Sequence, residues 1–252
     1  MRTCLAALLA TTLTVQTALA DCATDAMIVF DGSGSMGELG LWPDDPPRIV
    51  EARDAMRRAL PQVEGTRRIG LLTYGPGSEN VCGGIETRFG PIPDAARPVM
   101  DVLEALEPYG LTPLARSVES AAETLAYRTR PAIVVVVTDG NDTCAGRPCE
   151  LAGRLAAEGL DLTVHVLGFK VVGDIASGHT VLARPFPRGE VQARCLADET
   201  GGTYALPETV AELVAVLQEV LGCAVTGTRR LPDAWPDAWP DIARPGAALA
   251  GG

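Results

Sequence analysis

The chain has 252 residues, 47% of them hydrophobic and 4% aromatic, and its 21 basic and 32 acidic residues give a formal net charge of −11. This composition excludes a disordered or collagen-like polypeptide, and the lack of any basic stripe argues against nucleic acid as a partner. The length suits one large domain or two small ones, with a core built from Val, Leu, Ile and Ala.

Met1-Arg2 precedes an apolar, charge-free run from Cys4 to Ala20 that ends in Ala18-Leu19-Ala20. Small residues at the third and first positions before Asp21 form a signal-peptidase site. Residues 1–20 therefore read as a cleaved signal peptide, and the protein as exported to the periplasm or the medium. The run is short for a bilayer span of about 20 apolar residues, and no other apolar stretch in the sequence is long enough. Of seven cysteines, six remain after residue 20: Cys22, Cys82, Cys144, Cys149, Cys195 and Cys223. An even number in an oxidising compartment points to disulfides. A zinc site is disfavoured, because the one close pair, Cys144 and Cys149, has no His nearby.

Ala26 to Phe30 reads as a buried strand. Pro46-Pro47 opens a helix from Arg48 to about Leu60, with Ile49, Ala52, Met56 and Ala59 on one face. Ile69 to Tyr74 is a second strand, followed by a turn and a hairpin partner near Ile85–Phe89. Helices are predicted over Asp94–Leu106 and Pro113–Tyr127. Ala132 to Thr138 is the strongest strand, apolar at six consecutive positions and so buried on both faces. Then follow a helix at Glu150–Glu158, a strand at Leu162–Phe169, a helix at Val191–Thr200 stopped by Gly201-Gly202, a short strand at Thr203–Leu206, and a last helix from Pro207 to about Leu221. Alternating strands and helices predict an α/β domain over residues 21–226: a doubly wound, mostly parallel open sheet with one antiparallel edge strand and helices on both faces. Residues 227–252, with Pro-Asp-Ala-Trp repeated at Pro232–Trp235 and Pro236–Trp239, read as a flexible tail with two Trp available for docking.

In open α/β sheets, ligands sit beyond the carboxyl ends of the strands. Three polar clusters fall there: Asp31-Gly32-Ser33-Gly34-Ser35-Met36-Gly37, Thr112 at a predicted helix N-cap, and Thr138-Asp139-Gly140-Asn141-Asp142. Gly32-x-Gly34-x-x-Gly37 fits the dinucleotide fingerprint by letter. Asp31 would, however, set a carboxylate against a pyrophosphate, and Thr73-Tyr74-Gly75 offers no acid to a ribose. A hard-cation site fits better. Asp31 and Asp139 end strands predicted to be neighbours, and at about 6 Å their carboxylates would repel by about 3 kcal/mol at an effective dielectric of ~20. No Lys or Arg stands beside either in sequence. Ser33, Ser35 and Thr112 add neutral oxygens, the donor set of Mg²⁺ or Mn²⁺, and Gly32 and Gly34 let the loop curl.

Asp31-x-Ser33-x-Ser35, the downstream Thr112 and Thr138-Asp139-Gly140 together resemble the metal-ion-dependent adhesion site of von Willebrand factor type A (VWA) domains, with a strand–helix order that matches from about Asp21 to Leu221. The resemblance is closest to bacterial exported members. It implies a metal, Mg²⁺ or alternatively Mn²⁺ or Ca²⁺, touched by Ser33, Ser35 and Thr112, while Asp31 and Asp139 act mainly through water or hydroxyl contacts. It also implies a protein partner whose acidic side chain completes the coordination, and a non-enzymatic adhesion function. Partner recognition would differ at Ser78–Cys82 and Lys170–Gly189. The alternatives are a metal-assisted phosphoryl hydrolase using Asp31, where Ser33 occupies the place of the usual second acid, and a structural module that binds through its tail.

The topology favours Cys22–Cys223 at the edge opposite the metal and Cys144–Cys149 across a short loop, which leaves Cys82 and Cys195 as the residual pair. A competing scheme links Cys82 to Cys144 or Cys149. His165 reads as a hydrogen-bonded strand residue, and no Gly-x-Ser-x-Gly elbow accompanies His179.

Overall fold

The computed structural model describes residues 23–39, 45–76, 82–171 and 192–223. The predicted signal peptide, the tail from 227, Cys22, His179 and most of the Ser78–Cys82 and Lys170–Gly189 stretches lie outside those residues.

The strands are β1 (Asp25–Asp31), β2 (Ile69–Tyr74), β3 (Glu86–Ile92), β4 (Pro131–Thr138), β5 (Asp161–Gly168) and β6 (Tyr204–Ala205). The helices are α1 (Arg48–Val63), α2 (Ala96–Ala105), α3 (Leu114–Thr124), α4 (Pro148–Glu158), α5 (Arg194–Thr200) and α6 (Val210–Leu221), and a 3-10 turn spans Gly34–Gly37. The strands form one sheet in the order β3-β2-β1-β4-β5-β6. All pairings are parallel except β2 with β3, which is antiparallel and irregular in register. This is the predicted fold class.

Strand periodicity explains the two-layer core. On β1, Ala26, Ile28 and Phe30 face α1, α2 and α6, while Met27 and Val29 face α3, α4 and α5. β4 divides in the same way, with Ile133, Val135 and Val137 on one side and Val134 and Val136 on the other. A strand covered on both faces needs apolar residues at nearly every position, which is why β1 from Ala26 to Phe30 and β4 from Ala132 to Val137 read as uninterrupted apolar runs.

Several boundaries shift from the expectation. α1 runs on through Pro61 to Val63. α6 begins at Val210 rather than Pro207, because Thr209 closes a capping box: its side chain accepts from the Glu212 backbone, and Glu212 accepts from the Thr209 N–H. Thr112 is not an N-cap. Pro113 holds that position in α3 and offers no side-chain bond. The C-terminal end of α6 is closed by buried Arg67, whose Nε donates to Leu221 O at 2.7 Å and Nη2 to Gly222 O at 2.8 Å.

Chain reversal happens between β1 and β4. From β1 the chain moves to β2 on one side, and it later returns to place β4 on the other. Phe30 pairs with Val137 in parallel register, so Asp31 and the Thr138-Asp139 pair leave the sheet together at its carboxyl edge. This is the switch-point crevice where α/β sheets bind ligands.

Candidate metal centre

Asp31 is fully buried. Its Oδ1 accepts from Ser33 N at 2.8 Å and Ser33 Oγ at 2.5 Å. Its Oδ2 accepts from Thr138 Oγ1 at 2.6 Å, and Thr138 Oγ1 in turn accepts from Tyr74 OH at 3.1 Å. Burial pushes the Tyr74 hydroxyl well above its ordinary pKa, with Asp31 adding to the effect. Tyr74 therefore stays protonated and serves as the terminal donor of this chain.

Ser35 Oγ donates to Asp139 Oδ1 at 2.8 Å, linking positions 104 residues apart. The Ser33 and Ser35 hydroxyl oxygens stand 3.1 Å from each other. Each hydroxyl has one proton. With Ser33 donating to Asp31 and Ser35 to Asp139, no hydrogen is left for the contact between the two oxygens, so their lone pairs face one another. Adjacent ligands of an octahedral Mg²⁺ with bonds of about 2.1 Å are separated by about 3.0 Å. The pair is therefore spaced as two neighbouring ligands, and the two carboxylates orient the hydroxyls.

Gly32 is held by close approach: a Cβ there would stand 2.8 Å from both Tyr74 O and Leu106 Cδ2. Gly34 differs from the expectation. It lies in the 3-10 turn with its nearest would-be neighbour at 3.5 Å, so the loop does not depend on glycine at that position.

Thr112 is buried and joins the cluster through its neighbours. Gly110 O accepts from Gly34 N at 3.0 Å. Thr112 N donates to Thr143 Oγ1 at 2.8 Å and Thr143 N donates to Thr112 O at 3.0 Å, which ties Thr112 to the loop after Asp139. Asp142 holds that loop, accepting from Cys144 N, Gly146 N and Ala115 N at 2.8–2.9 Å. Sequence reasoning missed the structural roles of Thr143 and Asp142, although Asp142 two residues before an exposed turn is a familiar hydrogen-bonding pattern.

One expectation is overturned. Asp139 does have a cationic neighbour: Arg48 Nη1 lies 3.2 Å from Asp139 Oδ2 and donates to Ser35 O at 2.8 Å. Arg48 is 91 residues away in sequence. Its signal was its place at the head of the buried stripe Arg48, Ala52, Ala55 and Ala59 on α1, where an arginine needs a buried partner. Asp139 is nonetheless pushed up to about 7, by burial first and Asp31 second, against the pull of the Ser35 hydroxyl and Arg48.

Among the described residues, no group of three or more His, Cys, Asp and Glu side chains is arranged to hold a metal. The cluster offers two carboxylates and several hydroxyls, an all-oxygen donor set that fits a hard dication with water completing the shell.

The disulfides correct a second expectation. Cys144 bonds Cys82, not Cys149, and Cys149 bonds Cys195. Asp142 gathers the N–H groups of Cys144 and Gly146 and so curls the loop, whereas Cys149 already sits in α4, next to α5. The Cys82–Cys144 link was part of the competing scheme. Cys223 is itself disulfide-bonded. His165 behaves as expected, its Nδ1 accepting from Thr203 N at 3.0 Å.

Residues 26–141 match the model of the von Willebrand factor type A domain family. That window runs from β1 to the turn after β4 and contains all five predicted site residues. Over that window, just under half of its length, the chain is similar to VWA domains. It is 27% identical over 155 residues to an uncharacterized Bacillus subtilis protein, YwmD, covering 58% of this chain and 68% of that one. In fold it is similar to an aerotolerance-related membrane protein from Bacteroides fragilis, with 19% identity, a TM-score of 0.56, and coverage of 79% of this chain and 98% of that one. It is also similar to proximal thread matrix protein 1 from the mussel byssus, solved with a zinc-occupied MIDAS motif, with 14% identity, a TM-score of 0.53, and coverage of 79% of this chain and 46% of that one. VWA domains commonly mediate protein interactions. Among the described residues, no helix is long and apolar enough to cross a membrane.

Proposed function

We propose that this protein is an exported, non-enzymatic module that binds a protein ligand through a divalent cation. Ser33, Ser35 and Thr112 would hold the ion, with Asp31 and Asp139 orienting the hydroxyls and water. Bound there, the ion supplies a Lewis-acidic position that an acidic side chain of the ligand completes. The observation that carries this reading is the Ser33–Ser35 oxygen pair, 3.1 Å apart with both protons turned onto carboxylates. The zinc-occupied motif of the mussel thread protein supports it by analogy within one fold. Export is supported by the Ala18-Leu19-Ala20 signal pattern and by the Cys82–Cys144 and Cys149–Cys195 disulfides, bonds of a kind that persist in oxidising compartments.

The phosphoryl hydrolase reading loses ground. Asp31 is 0% exposed and both of its oxygens accept hydrogen bonds, from Ser33 and from Thr138, which is a poor setting for a nucleophile that must meet an incoming phosphorus.

Calorimetric titration with Mg²⁺, Mn²⁺ and Zn²⁺ tests the proposal. Ser33→Ala and Asp139→Ala should each weaken binding by about tenfold or more, with far-UV circular dichroism unchanged. Equal affinity in wild type and both variants would remove the metal centre.

A further inference from the structure

Arg48 occupies an unfavourable place for an arginine. It is the first residue of α1, where the helix dipole repels a cation. It is 6% exposed, and its Nε is buried with no hydrogen-bond partner. All of these features oppose a guanidinium there, and what favours it is the site. Nη1 contacts Asp139 Oδ2 at 3.2 Å and Ser35 O at 2.8 Å. Its third contact, Glu38 Oε2 at 3.5 Å, belongs to a side chain that is 69% exposed and therefore screened by water.

The charge count of the buried cluster then matters. Asp31 and Asp139 alone would neutralise a dication and leave the loaded centre with no net charge. With Arg48 the protein contributes one net negative charge instead of two, so the loaded centre keeps one positive charge. In a site shielded from solvent, that charge acts on whatever occupies the open side.

We propose that Arg48 is a specificity-determining residue: it holds the metal-loaded centre at a net charge of +1, loosening the grip on the cation itself and selecting a carboxylate from the partner. The inference rests on the metal reading above and deepens it, since it explains in charge terms why an acidic side chain, rather than a neutral amide or hydroxyl, would complete the shell. Ser35 links the two effects. Its hydroxyl serves the cation cluster while its carbonyl accepts from Arg48, so the guanidinium also fixes the turn that presents the hydroxyl.

The test separates cation affinity from anion affinity. Mn²⁺ binding to the purified protein is followed by electron paramagnetic resonance at pH 8, where proton competition at Asp139 is small. Acetate binding to the Mn²⁺-loaded protein is then read from water-proton relaxation as bound water is displaced. Arg48→Gln should bind Mn²⁺ about tenfold more tightly and acetate about tenfold more weakly. Arg48→Lys, which keeps the charge, should stay near wild type in both. Glu38→Gln changes an exposed residue and leaves the fold intact; it should shift both constants by about twofold in the opposite directions. The inference is overturned if Arg48→Gln leaves both constants within twofold of wild type, or if both fall together, as a purely structural role would give. If the wild type binds no Mn²⁺ at all, the metal reading fails first, and that result is distinct from either of these.

Discussion

Asp139 is the residue whose chemistry the fold perturbs most legibly. Its carboxyl is raised from an ordinary 3.8 to about 7 by burial and by Asp31. The folded protein therefore holds this proton more tightly than the unfolded chain. Between about pH 4 and pH 7 the native state binds more protons than the unfolded state, so stability falls as pH rises through this window. The metal-free protein should accordingly melt at a higher temperature near pH 5 than near pH 8, and Asp139→Asn should lose most of that difference. Saturating Mg²⁺ should flatten the profile from the other side, by stabilising the ionised form. Differential scanning calorimetry across pH checks this; a melting temperature that climbs steadily from pH 5 to pH 8 in the metal-free wild type would contradict it. At this scale the sequence was readable where the chemistry is local. Asp31, Ser33 and Ser35 lie within five positions, so their convergence follows from one turn. The Arg48–Asp139 contact was not readable, because it depends on how α1 returns across the edge of β4.

Among the elements, α3 shows how a site residue is supported from outside its own segment. Pro113 precedes the helix and supplies no capping oxygen, so Asp142 does the work from the β4–α4 loop by accepting from Ala115 N at 2.9 Å. The same carboxylate accepts from Cys144 N and Gly146 N, and a Cβ at Gly146 would overlap it. Thr143, next in sequence, holds both main-chain groups of Thr112. One loop thus fixes the start of α3 and the Thr112 position together. Replacing Asp142 with Ala removes a cap and two loop bonds, and should cost about 2 kcal/mol in urea titrations. Mg²⁺ affinity should fall several-fold as Thr112 loses its anchor, with Asp142→Asn intermediate in both. Unchanged Mg²⁺ affinity alongside lost stability would show that Thr112 does not need this loop. The element types themselves were legible, since buried strands and amphipathic helices announce their periods. The caps were less so: Thr112 has the composition of an N-cap, but the proline after it and the acid 30 residues on decide otherwise.

For the molecule as a whole, the covalent links bear unequally on the site. Cys82–Cys144 closes a separation of 62 residues and Cys149–Cys195 one of 46, and the two loops follow one another along the chain without overlap. The chain-entropy model gives each about 4 kcal/mol, and because the loops are independent the two contributions should nearly add. Sequence reasoning favoured Cys144–Cys149 and held Cys82–Cys144 only as the competing scheme, because Cys144 and Cys149 are close in number but attached to different bodies, one to the loop gathered by Asp142 and the other to α4 beside α5. Position then predicts function. Cys144 directly follows Thr143, which anchors Thr112, and Cys82 stands two residues before Gly84, whose carbonyl accepts from Gly75 N just past the end of β2. The paired substitutions Cys82→Ser with Cys144→Ser should lower both stability and Mg²⁺ affinity. Cys149→Ser with Cys195→Ser should lower stability by a similar 2–4 kcal/mol and leave Mg²⁺ affinity within about twofold. Urea unfolding and calorimetric titration on the same preparations resolve the two effects. If both pairs weakened the metal equally, the disulfides would be acting through global stability, and the assignment of the Cys82–Cys144 bond to the Thr112 side of the centre would fall.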